Sequence, residues 1–331
     1  MKAEATLKKI SEMLNISIST VSRALKDHPD ISDRTKKRVQ ELAVTLEYEP
    51  NTYAINLRMH HSKVFGVILP TLSNNFYQAF VAKLEEDARN NGYSLLIIQS
   101  FNDENIELQS LKLFRANKVA GVFVCLSPNS ADVSEFLKME SRETPVIFFD
   151  KVPVGKTCNK VCIADEQAAA MAAELLIAKE KKSVLALFGN ESMSITRKRF
   201  NAFKQTYFSA LPNALVHTVH ADSTEEAKQL TEQYFDENGL PEAVFCMSDE
   251  VLIGAMKVLQ QRKIDIPNEV AVIAISNGFF PQLFHPVISY IETSGTKLAQ
   301  LAFNRMMACL AGSTFVQELT LEAVYVKGDS V

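Results

Sequence analysis

Residues 17 to 23, Ser-Ile-Ser-Thr-Val-Ser-Arg, gather four hydroxyls and one arginine within two helical turns. This is a side-chain set suited to DNA. Arg23 can grip a guanine in bidentate fashion, Ile18 can touch a thymine methyl, and Ser19 can pair with several bases. Thr20 and Ser22 suit phosphate oxygens, which fix position without reading sequence, and Ser17 is a further candidate DNA contact. The first residues of a recognition helix face base edges in the major groove. An ordinary helical hairpin is the alternative for this stretch taken alone.

The flanking residues must position that set. Ile10 and Leu14 are four apart, as are Val21 and Leu25, so two short helices each carry one apolar stripe. Asn15 between them tolerates a left-handed backbone. Ser17 fits an N-cap, and the small Ser11 lets the helices approach closely. Together these spacings give a helix-turn-helix. Ser32 caps a third amphipathic helix that turns Val39, Leu42 and Leu46 inward and sets Arg34, Lys36, Lys37 and Arg38 on or near its exposed side.

Four motifs then follow in order: Thr20–Leu25 as TVSRAL, Ser32–Val39 as SxxTxxRV, Tyr48–Asn51 as YxPN, and Ala54–Arg58 as AxxLR. With their spacing, residues 6 to 70 resemble the start of the lactose-repressor (LacI/GalR) family of bacterial transcription regulators. Asn15 stands where the family usually has glycine. The resemblance implies a hinge helix over residues 51–61 that orders on DNA, with Leu57 wedged between base pairs of the minor groove and Ala54 beside it. An inserted apolar side chain kinks DNA, and closer contacts recover the energy. A linker packed on the body is the alternative for Leu57. Thr6, Thr35, Asn51 and Arg58 complete the candidate DNA contacts.

Composition sets outer bounds. The chain has 331 residues, 47% apolar and 22% charged, an ordinary globular balance. It lacks the apolar run of about 18 residues that a membrane span needs. MKAEATLKKI lacks the apolar core of a signal peptide, so a cytoplasmic, nucleoid-associated protein is expected. Cys125, Cys158, Cys162, Cys246 and Cys309 form no CxxC pair, which favours free thiols over disulfides or zinc. Residues 1–63 hold 11 Lys/Arg against 8 Asp/Glu, while the whole chain carries −4. A basic head on an acidic body fits a nucleic-acid module joined to something else.

From residue 64 the pattern changes. VFGVILP, YSLLIIQS, GVFVCLS, PVIFFDK, SVLALFG, AVFCMS and VAVIAIS are short apolar runs alternating with amphipathic stretches. Buried strands alternating with helices give parallel sheets. There are too many strands for one sheet, so two doubly wound halves are expected, with ligands at the carboxyl ends of the strands. The resemblance implies the type I periplasmic-binding-protein fold, its last strands crossing back into the first half. The expected organisation is a small all-α helix-turn-helix DNA-binding domain over 1–50, a hinge over 51–61, and an α/β effector-binding and dimerisation domain over 62–331. Within the last, 62–160 plus 290–331 form one half and 161–289 the other.

Strand-end loops supply candidate effector contacts. Thr71, Asn74 and Phe76 follow the first strand, Ser127 the third, and Asp150 the fourth. The second half offers Arg197, Arg199, Ser248, Ser276 and Asn277. Phe76 suits stacking on a sugar ring while polar groups take its hydroxyls; capped or solvated turns are the bland alternative. The resemblance singles out Arg199, four residues before Phe203. Where many members have GFDD, this chain has Ala274-Ile275-Ser276-Asn277, and the common NDE is Ser248-Asp249-Glu250. Loss of the two carboxylates gives the expectation of a neutral rim and a ligand whose negative charge Arg199 meets. Neither GxGxxG nor GxxxxGK[ST] occurs, and His60-His61 and His217/His220 have no metal-ligand companions. No enzyme, cofactor or metal site is therefore expected. The reading is a homodimeric transcription regulator, a repressor, binding a double-stranded pseudopalindromic operator under control of a sugar or sugar derivative, away from any membrane. A stand-alone sugar-binding receptor of the same fold is the alternative.

Overall fold

The computed structural model describes residues 6–48, 62–127, 132–141, 143–155 and 157–331. They fall into two units that divide between Ser62 and Lys63. The head contains α1 (Leu7–Leu14), α2 (Ile18–Leu25) and α3 (Asp33–Thr45). Asn15 adopts the left-handed conformation (φ 53°, ψ 46°), and its N–H and that of Ile16 return to the carbonyls of α1's last turn. This closes the helix without glycine. Ser11 is buried and donates to the Lys8 carbonyl at 2.7 Å, satisfying its hydroxyl where the helices meet. The fully enclosed residues are Ile10, Val21, Ala24, Val39 and Ala43, with Leu14, Leu25, Leu42 and Leu46 packed around them. Small alanines thus occupy centres that the leucine spacing had assigned to larger side chains.

The body holds two six-stranded sheets. The first comprises β1 (Val64–Leu69), β2 (Ser94–Gln99), β3 (Gly121–Val124), β4 (Val146–Phe149), β5 (Lys160–Ile163) and β11 (Glu318–Leu321), ordered β11-β5-β4-β3-β1-β2. The second comprises β6 (Ser183–Phe188), β7 (Leu215–His220), β8 (Ala243–Cys246), β9 (Ala271–Ser276), β10 (Ser289–Glu292) and β12 (Val324–Val326), ordered β12-β10-β9-β8-β6-β7. Every pairing is parallel except β10 with β12. The inner strands are almost wholly buried, as helices on both faces of a parallel sheet require.

The helices of the body are α4 (Asn75–Asn90), α5 (Glu104–Ala116), α6 (Ser134–Glu140), α7 (Asp165–Ala178), α8 (Ser194–Ala210), α9 (Thr224–Asn238), α10 (Asp249–Gln261) and α11 (Gly295–Leu310). The chain passes between the halves three times: from β5 into α7, from β10 into α11, and from β11 to β12. The 290–331 segment is therefore divided. Its α11 packs on α4 and β11 joins the first sheet, whereas β10 and β12 belong to the second. The assignment of the whole segment to the first half is corrected accordingly. At the start of α11 only glycine fits, because a Cβ on Gly295 would lie 2.3 Å from the Phe76 carbonyl oxygen.

Candidate nucleic-acid interface and ligand cleft

In the head, Ser17 caps α2, its Oγ accepting from the Thr20 N–H at 3.1 Å. The Ser17 hydroxyl also lies 2.7 Å from Ser19 Oγ and 2.8 Å from Thr20 Oγ1. The first turn of α2 is thus a hydroxyl cluster with its remaining N–H groups open, a ready place for phosphate oxygens. Ile18 is 46% exposed, a large apolar side chain left out of the core, and Ser19 and Arg23 are exposed beside it. Thr20 and Ser22 are half-buried. Thr6 caps α1 through the Lys9 N–H at 3.2 Å, and Thr35 is tied to Ser32, the cap of α3. Arg34, Lys37 and Arg38 are exposed. Lys36 departs from expectation: its side chain is 14% exposed and pairs with Asp27 at 2.8 Å, so it braces the α2–α3 turn. Asn51, Ala54, Leu57 and Arg58 lie outside the described residues.

The body carries a cleft of about 430 Å³ lined by strand-end loops of both sheets. From the first half come Thr71, Asn74, Phe76 and Asp150, and from the second Arg199, Ser248, Ser276 and Asn277. Asn74 caps α4, its Oδ1 accepting from Phe76 N–H at 2.8 Å while its Nδ2 donates to Glu250 across the cleft. Asn277 also spans the halves: Nδ2 donates to Asn75 Oδ1 at 3.0 Å and Oδ1 accepts from Gly295 N–H at 2.9 Å. Tyr77 donates to Asp150 at 2.7 Å. Burial and that neighbouring carboxylate push the tyrosine's own pKa well up, which keeps the phenol a donor.

Arg199 is 5% exposed. Its Nε and Nη2 donate to Asp165 Oδ1 at 2.9 and 2.8 Å, and its Nη1 donates to the Met247 carbonyl at 2.7 Å. Asp249 is held by the Ser276 hydroxyl and the Asn277 N–H. Burial pushes both Asp165 and Asp249 up to about 6.

Two expected contacts are not brought to the cleft. Ser127 directs its N–H and hydroxyl to the buried Glu107, and Arg197 is exposed, donating to the carbonyls of Glu191 and Ser192. The neutral rim is corrected too: Asp150, Asp222, Asp249 and Glu250 all line the cleft. The sequence reading also passed over Asn102, Asn190, Thr196, Asp222 and Thr293. Thr196 is 1% exposed, and its Oγ1 has no hydrogen-bond partner among the described residues.

A three-helix head with an exposed helix start, joined in sequence to a two-sheet body around a polar cleft, is the architecture of a DNA-binding transcription regulator. The chain belongs to the LacI family: the model for bacterial regulatory proteins of the lacI family matches residues 6–51, and that for periplasmic binding proteins and the sugar-binding domain of the LacI family matches residues 62–317. It is 25% identical to a probable HTH-type transcriptional repressor, ExuR, of Bacillus subtilis (strain 168), over 96% of this chain and 95% of that protein. It is also 25% identical to the sucrose operon repressor of Streptococcus mutans, covering 99% of each. Among solved structures, the Lac repressor dimer bound to operator and the anti-inducer ONPF superposes with a TM-score of 0.87 at 21% identity, covering 99% of each chain. No helix among the described residues is long and apolar enough to cross a membrane.

Proposed function

We propose that this regulator is a repressor that binds a pseudopalindromic operator as a homodimer, with Arg23, Ile18 and Ser19 reading bases, and that a sugar-like effector in the cleft controls it. The observation that carries the DNA reading is the exposed first turn of α2, where Ile18 stands in solvent beside Ser19 and Arg23. Two copies related by a two-fold axis match two half-sites. Ser17, Thr20, Ser22, Thr6 and Thr35 anchor phosphates. Asn51, Ala54, Leu57 and Arg58 act at the minor groove, Leu57 as the wedge. The operator-bound dimer of the Lac repressor supports this reading, as do relatives named as repressors. A cytoplasmic location follows from it.

Selection of full-length protein on randomised duplexes tests the DNA reading. The wild type is expected to recover an inverted repeat. Arg23→Ala is expected to lose about 1–3 kcal/mol and to relax preference at one base pair per half-site. An unchanged preference removes Arg23 from the base-reading set.

A further inference from the structure

The charge of the cleft points to the ligand's chemistry, given the reading above that the cleft holds the effector. Two cations line it, Arg199 and Lys151. Arg199 is already engaged, with two nitrogens on Asp165 and a third on the Met247 carbonyl. Against these stand four lining carboxylates, each held only by uncharged donors. Asp150 accepts from the Tyr77 hydroxyl at 2.7 Å and Asp222 from the Asn190 amide at 2.9 Å. Asp249 accepts from the Ser276 hydroxyl and the Asn277 N–H, and Glu250 from the Asn74 amide. Hydrogen bonds from neutral groups stabilise a carboxylate without cancelling its charge. Asp165 is matched by Arg199, so the four lining carboxylates are left facing one further lining cation, Lys151.

Burial is the main cause of the raised values at the two buried acids, and neighbouring carboxylates add to it. Asp165 rises to about 6 through burial, with Asp150 adding to the rise and Arg199 only partly opposing it. Asp249 rises to about 6 likewise, with Glu250 adding. Nor are the helix starts here arranged for an anion. The first N–H groups of α4 are taken by Asn74 Oδ1, and the first turn of α10 carries Asp249 and Glu250 themselves. The exception is α8, which begins without a side-chain cap and without an acid in its first turn. In its first turn Thr196, 1% exposed, keeps Oγ1 unpartnered among the described residues while lining the cleft. A buried hydroxyl without a partner marks a place for an absent polar group, and a ligand hydroxyl satisfies it.

We propose that the cleft takes a polyhydroxylated amine, an aminated sugar whose ammonium faces the surplus carboxylates while a hydroxyl meets Thr196, in preference to a phosphorylated or carboxylated sugar. The cavity, about 430 Å³, suits a ligand of that size.

Titration calorimetry on the full-length protein tests this with matched series. D-glucosamine, D-glucose, N-acetyl-D-glucosamine, D-glucuronate and D-glucose 6-phosphate are compared, then the corresponding galactose and mannose sets. In at least one series the free amine is expected to bind tenfold or more tighter than its neutral and N-acetylated counterparts, with no heat from the two anions at millimolar concentration. Glu250→Gln or Asp249→Asn is expected to erase most of that preference, and Thr196→Val to weaken the amine and the neutral sugar alike. An anionic member binding best, a neutral member equalling the amine, or silence in every series overturns the proposal. An amine preference untouched by all three substitutions overturns the cleft reading itself, because the ligand then sits elsewhere.

Discussion

Asp249 carries the acid–base behaviour of the cleft at the level of one residue. Burial raises it from 3.8 to about 6, Glu250 adds to the rise, and the Ser276 and Asn277 hydrogen bonds oppose it. Because the folded value exceeds the unfolded one, the folded state binds the proton more tightly between about pH 4 and 6. The associated stability is fully present below that window and lost as pH rises through 6. A two-unit rise corresponds to about 3 kcal/mol. Asp249→Asn keeps the size and an acceptor for Ser276 but cannot ionise. Its thermal midpoint relative to wild type is therefore expected to be several degrees more favourable at pH 7.5 than at pH 5. Equal differences at the two pH values would show that Asp249 does not titrate in that window. Arg199 teaches a related lesson. Its position was legible from the run before Phe203, but its partner Asp165, 34 residues earlier, was not. In the sequence Asp165 is one acid at the start of a helical stretch, and only the fold brings the two together. Ser127 failed for a similar reason, since Glu107 reaches it from α5.

At the scale of elements, Asn15 decides whether α1 and α2 meet at the right angle. A left-handed backbone costs an ordinary residue about 1–2 kcal/mol, and a β-branched one suffers most. Asn15→Val is expected to speed hydrogen exchange across α1 and α2 about 5- to 30-fold while leaving the body's exchange unchanged; Asn15→Gly is expected to match wild type. Equal exchange in the two variants would mean that the turn does not depend on its left-handed residue. The elements read correctly from sequence were those with a strong pattern: the head helices, and β1, β2, β3, β4, β6, β8 and β9 as near-continuous apolar runs. The strands missed were β5, β7, β10, β11 and β12. β7, Leu-Val-His-Thr-Val-His, lies at a sheet edge with half-exposed residues, so its apolar signal is diluted. The others are short, and Lys160 in β5, Ser289 and Glu292 in β10, and Glu318 and Thr320 in β11 break the apolar run, while β12 has only three residues. That loss propagated to the site, because Asp222 follows β7 and Thr293 follows β10. A strand that is not recognised hides the loop at its carboxyl end.

At the scale of the whole molecule, the proposed function puts DNA binding and ligand binding in different units of the chain, and any control of one by the other is a coupling free energy that must be reciprocal. In the body, the arrangement of the two halves is held by three crossing segments and by the hydrogen bonds of Asn74 to Glu250 and of Asn277 to Asn75 and Gly295. A ligand shifts that arrangement only through different affinity for its alternatives. The ratio of operator Kd values with and without effector is therefore expected to equal the ratio of effector Kd values with and without operator. Asn277→Ala removes two of the bonds between the halves, about 1 kcal/mol each, and so biases the arrangement before ligand arrives. The coupling measured in both directions is expected to change by the same factor, about 5- to 30-fold, while the base preference found by selection stays as in wild type. Arg199 is a poor choice for this experiment, because its removal leaves Asp165 buried without its cation, at a cost of several kcal/mol. Measured by fluorescence anisotropy for DNA and calorimetry for ligand, an Asn277→Ala coupling equal to wild type would show that these bonds do not distinguish the body's two states. A change in base preference would instead mean that the substitution reaches the recognition helix directly.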